Sequence, residues 1–126
     1  MLYNDKILKS LDIALNYYNN SVVALTNKDK KTLENHFWHI LSEIEYTLFI
    51  LSLMFDKEQY ERYLPKPKEM DKNNLSINKL LNEAKNSITN NNIFEAYKNI
   101  YMARYHTIRI YDIIRRKQNA KEENLS

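Results

Sequence analysis

The stretch KKTLENHFWHILSEIEYTLFILSLMF, residues 30–55, decides the fold. Leu33, Phe37, Ile40, Ile44, Leu48, Leu51 and Phe55 recur at intervals of three or four, the period of a helix with one face in a core. Asp29 precedes them as an N-cap, because its short acceptor can satisfy an amide of the first turn. A helix is therefore expected over Lys30–Phe55, too apolar to stand without partners.

Working outward, similar stripes recur. Ile7, Leu11, Ala14, Tyr18, Val22 and Leu25 predict a helix over Asp5–Thr26, capped by Asn4 or Asp5 and ended by Thr26-Asn-Lys-Asp29. Ile77, Leu81, Ala84 and Ile88 predict a third from about Asn74 to Ile88. Ile93, Tyr97, Ile100, Ile108, Tyr111 and Ile114 predict a fourth over Ile93–Lys117. Thr89-Asn-Asn-Asn92 separates the last two, with Asn in place of glycine for the left-handed cap and Asn92/Glu95 at capping-box spacing. Residues 118–126 lack an apolar pattern and read as a frayed polar tail.

Both prolines fall in Leu64-Pro65-Lys66-Pro67, which forbids a continuous helix and makes Asp56–Met70 the one long connection. Tyr60, Tyr63 and Leu64 can form a short turn there. The expectation is an all-α, four-helix antiparallel bundle of up-down path, a single domain over 1–117. Phe37, Ile40 and Thr47-Leu48-Phe49-Ile50 align with Tyr97, Ile100 and Thr107-Ile108-Arg109-Ile110, which suggests two similar hairpins joined by the proline-containing loop.

Composition narrows the function classes. The chain of 126 residues has no glycine, where about nine would be usual. Phosphate-cradling loops, dinucleotide fingerprints and nucleophile elbows need glycine for positive φ or close backbone approach, so none is present in its usual form. Absence of cysteine removes disulfides, thiolate zinc sites and thiol nucleophiles. The nearly unbroken apolar run Tyr46–Phe55 is about half a bilayer span, and no signal-peptide core follows Met1, so a cytoplasmic location without membrane attachment is expected. The net charge of +3 permits an anionic partner without requiring one.

Four constellations could carry function. His36, His39 and Glu43 share one arc of the second helix, yet no HExxH or Glu-x-x-His pattern accompanies them, so boundary histidines and no metal or cofactor are expected. Arg104 lies amid an apolar arc between Tyr97, Ile108 and Tyr111 and needs a counter-ion. With the second and fourth helices parallel, as an up-down path requires, Arg104 is level with Ile44, making a buried pair with Glu43 or Glu45. Lys98, Tyr105, Arg109 and Arg116 form an outer stripe about 27 Å long, able to follow a phosphate backbone with Tyr105 stacked on a base. Asp112 interrupts it, and a solvated basic face is the plainer reading.

Finally, Trp38, Phe49 and Leu53 point away from the core side of the second helix. Either the long connection covers them or they form an interface. With ten Tyr and one Trp, types enriched at interfaces, self-association or docking of a protein partner is the preferred reading. Nucleic-acid binding by a helical accessory subunit is the alternative.

The segment from Leu81 to Tyr97 with the long helix after it resembles, locally, the hairpins of HEPN-type domains. Those ribonucleases carry an Arg and a His several residues apart. Here only Tyr105 separates Arg104 from His106, so the resemblance does not imply that activity, and an RNase set of Arg104, His106 and Glu43 ranks third.

Overall fold

The computed structural model describes the backbone of residues 2–72 and 75–125 and the side chains of 3–72 and 75–117. It contains α1 (Leu2–Thr26), α2 (Lys30–Ser52), α3 (Lys57–Tyr63), α4 (Pro67–Lys72), α5 (Ile77–Thr89) and α6 (Ile93–Leu125), with no strand among the described residues. α1 packs on α2 and α5, α6 packs on the other faces of α2 and α5, and α3 rests on α6. No helix of the described residues is long and apolar enough to cross a membrane.

The expected core forms. Ile7, Leu11, Ile40, Ile44, Leu51, Leu80, Leu81, Tyr97 and Ile100 lose all contact with solvent, and Ile77, Ile88 and Phe37 nearly all. Each such side chain contributes about 1.5–3 kcal/mol of burial. The positions of the internal echo behave alike: Thr47 and Thr107 are both fully buried. Each donates its hydroxyl one turn back, to the Glu43 carbonyl at 2.9 Å and the Ala103 carbonyl at 2.6 Å.

Chain turns without glycine are built on two left-handed residues, Lys28 (φ 57°) and Asn91 (φ 60°). Both hairpins use the same cap. Asp29 N–H donates to the Ala24 carbonyl and Lys28 N–H to the Leu25 carbonyl, while Asn92 and Asn91 repeat this on Ser87 and Ile88. Asp29 then caps α2 by accepting from the Thr32 amide at 3.2 Å and its hydroxyl at 2.7 Å. A Cβ in this conformation costs about 1–2 kcal/mol, partly offset in glycine by its looser unfolded chain. Lys28→Gly should therefore raise the unfolding free energy by about 0.5–1 kcal/mol in urea titrations.

Three expectations change. An up-down path would set α2 and α6 parallel, but Arg104 pairs with Glu45 and Arg115 with Glu34 at 3.7 Å, while Phe94 meets Phe55 at 5.4 Å between ring centroids. Residue numbers rise on one helix as they fall on the other, so the two are antiparallel. The cause is the connection, which returns the chain to the end where α1 turns into α2, so α5 enters parallel to α2.

Val22 and Leu25 were expected inside and are exposed. Lys85 of α5 pairs with Asp12 of α1 at 2.5 Å, which places the first residue of α5, Ile77, near residue 20 of α1. Past that level α1 has no α5 to pack against, whatever its periodicity. Beside the expected Ile7, Leu11 and Ala14, α1 buries Ser10, Ser21 and Ala24, whose small side chains bring it close to its neighbours.

The connection carries two short helices. Asp56 caps α3 in a reciprocal box with Gln59, and Pro67 opens α4, where its missing N–H is harmless. Phe55, Tyr60, Tyr63, Phe94 and Tyr97 gather into one aromatic cluster that pins α3 to the start of α6. α6 continues to Leu125, beyond the expected end at Lys117. The side chains of the tail expected over 118–126, and the expected start of α5 at Asn74, lie outside the described residues.

Candidate interaction face

α2 is helical to Ser52 and its C-cap Leu53 keeps right-handed helical backbone, so Trp38, Tyr46, Phe49 and Leu53 form one exposed row, with the half-buried Ser42 between the first two. Trp38 is 50% exposed, Tyr46 44%, Phe49 60% and Leu53 53%. Intervals of three and four keep the row on one side over about 22 Å. The connection does not cover it, because its aromatic residues are spent on Phe55, Phe94 and Tyr97. Tyr46 extends the row beyond the three residues picked from sequence. Its position, three before Phe49 and seven before Leu53, was signal enough to include it.

One flank of the row is braced by aromatic contacts. Trp38 meets His39 edge-on at 5.1 Å, and His39 stacks on Tyr17 of α1 at 4.6 Å. Tyr17 also contacts His36 at 5.7 Å. Both histidines are thus held against α1 by rings, and among the described residues no group of three His, Asp or Glu side chains is placed to hold a metal.

The other flank opens into a hollow of about 320 Å³ lined by Glu45, Leu48, Phe49, Ser52, Tyr60, Tyr101 and Arg104. Arg104 pairs with Glu45 and lies over the Tyr101 ring at 5.8 Å. Of the two counter-ions the sequence offered in a buried site, Glu43 and Glu45, the structure uses Glu45, so the pairing with Glu43 and the burial of the pair are corrected. A two-residue step turns a helix by about 200°, so Glu43 faces α1, where Ser10 donates to it at 2.5 Å, and Glu45 faces α6. The Arg104 side chain keeps 34% of its exposure and Glu45 50%, so the pair sits at the rim.

The RNase set does not converge either. Glu43 is engaged with α1, whereas Arg104 is on the α2–α6 seam. His106 is half-buried beside Tyr105, its Nε2 buried without a hydrogen-bond partner among the described residues. Burial, and secondarily the Arg109 charge, push its imidazole below its ordinary pKa of 6.5. Below about pH 6.5 the unfolded chain takes up a proton that the folded protein resists, so stability present above that pH is lost as pH falls. His106→Gln should remove part of that loss, as read from urea midpoints between pH 8 and 5.

Of the basic stripe on α6, Lys98 and Tyr105 are half-buried, and Arg109 and Arg116 are exposed. Its middle is occupied. Tyr105 donates its hydroxyl to Asp71 of α4, Arg109 lies 3.9 Å from the same carboxylate, and its guanidinium sits over the Tyr105 ring at 5.5 Å. Nothing in the periodicity of α6 pointed to Asp71, which arrives from the connection.

No protein-family model, curated protein or solved structure matches this chain.

Proposed function

We propose that this protein is a non-catalytic interaction module, an antiparallel four-helix bundle of two similar hairpins that self-associates through the outer row of α2. The observation that carries this is the exposure of Trp38, Tyr46, Phe49 and Leu53 on one helix face. Aromatic side chains offer 150–250 Å² each, so the row presents roughly 400 Å² of apolar surface, within the range of functional patches. A standard interface buries about 800 Å² on each side. The row supplies its apolar centre, and Ser42, Glu45, Ser52 and Arg104 supply a polar rim. The hollow beside Phe49 offers a seat for an aromatic anchor from the second copy. Docking of a different protein on the same row is the other form of this reading.

The single tryptophan makes the test direct. Trp38 emission should move to shorter wavelength as protein concentration rises from low to high micromolar. An emission maximum unchanged over that range removes self-association.

Nucleic-acid binding stands second. It requires Tyr105 and Arg109 to leave Asp71, and oligonucleotide affinity at low salt that is insensitive to Arg109→Glu removes it.

A further inference from the structure

We infer that the hollow at the α1–α2 turn is a binding site for a carboxylate-headed amphiphile with an apolar tail of about eight carbons. It lies between the end of α1, the start of α2 and the outer half of α6, separate from the α2 row. Ala24, Leu25, Leu33, Ile113 and Ile114 make its floor, and apolar atoms line nearly all of it. The hollow exists because α6 runs on past the level where α5 begins, leaving Leu25 64% and Ile113 50% exposed where a fourth helix would have covered them.

Its volume is about 250 Å³. That equals about eight molecules of liquid water at ~30 Å³ each, and a methylene needs similar room. An amphipathic helix is too wide for it, and a short linear tail fits.

The mouth selects the head group. Lys28, Lys30 and Lys117 border it, and none of the three has an ion-pair partner among the described residues. Asp29 is the one carboxylate there. Both its oxygens are bound by Thr32, which holds its carboxyl below the usual range, so it remains a fixed charge of the helix cap. Three lysines against one committed carboxylate around the hollow favour a single anion at its mouth. Lys28 also occupies the left-handed position of the turn, although Asn27, a residue type better suited to that conformation, is its neighbour. A lysine is thereby kept at the mouth at a backbone cost, as strained positions at ligand sites often are.

The test is a titration of the full chain with sodium octanoate, followed by amide NMR shifts. Saturable shifts are expected at residues 24–33 and 113–117, with affinity rising about fourfold per methylene from hexanoate to octanoate. Octylammonium, with the same tail, should bind at least tenfold more weakly. The double variant Lys28→Glu with Lys30→Glu should reverse that preference, and Ile113→Trp, at an exposed site, should fill the hollow and abolish saturation. Absence of saturable shifts, shifts centred elsewhere, or equal binding of octanoate and octylammonium overturns the assignment. Should Ile113→Trp fail to fold, the charge-reversed variant decides alone: an unchanged preference for octanoate also overturns it.

Discussion

Tyr97→Ala should lower the unfolding free energy by about 3–5 kcal/mol, the cost of removing a large ring from a closed site. Tyr97 is fully buried and touches the rings of Phe55 at 5.5 Å, Tyr60 at 4.7 Å and Tyr101 at 5.8 Å between centroids. It therefore ties the end of α2, the short α3 and the first turns of α6 into one unit. Burial, reinforced by Tyr60, pushes its phenol far above the ordinary value, so the site holds only the neutral form. The vacated volume cannot close without moving α3, and the apparent Tm should fall by roughly 10–20 °C in a chain of this size. Tyr105→Phe is the control. Its hydroxyl bond to Asp71 is exposed, so its loss should cost under about 1 kcal/mol.

The second large effect concerns association and leaves the fold alone. Phe49→Glu places a carboxylate in the middle of the α2 row, at a position 60% exposed. Surface substitutions of this kind change stability by about 0.5 kcal/mol or less, so circular dichroism and urea midpoints should match the parent. Across a two-fold contact the substitution would appear on both copies, bringing two like charges into a desolvated centre. Losses of 2 kcal/mol or more are typical of such central positions, so self-association should weaken at least 30-fold. Equal association of parent and variant by sedimentation velocity would move the contact off this row.

The sequence carried some of this and not the rest, for definable reasons. The core of α2 was readable because its stripe repeats over six turns and every inward residue meets a neighbour. The placement of Trp38, Phe49 and Leu53 away from the core side was readable for the same reason, whereas their exposure was not, because it depends on where the connection packs. An asparagine of the run 90–92 was expected in the left-handed turn after α5, and the structure puts Asn91 there. Val22 and Leu25 misled because their exposure depends on how far α5 reaches, a property of a different segment. Glu43 and Glu45 were both offered to Arg104 because the sequence does not say which side of α2 meets α6, and the parallel setting of α2 and α6 failed because their relative direction is set by the connection, on which periodicity is silent. Asp71 at Tyr105 has the same origin.

Light scattering of the unmodified chain across a concentration series addresses the central claim most directly. Self-association through the α2 row predicts a mass rising from that of the 15.2 kDa chain toward twice that value as concentration reaches the high micromolar range, and a return to the single-chain mass for Phe49→Glu. A mass that stays at 15.2 kDa throughout would contradict it.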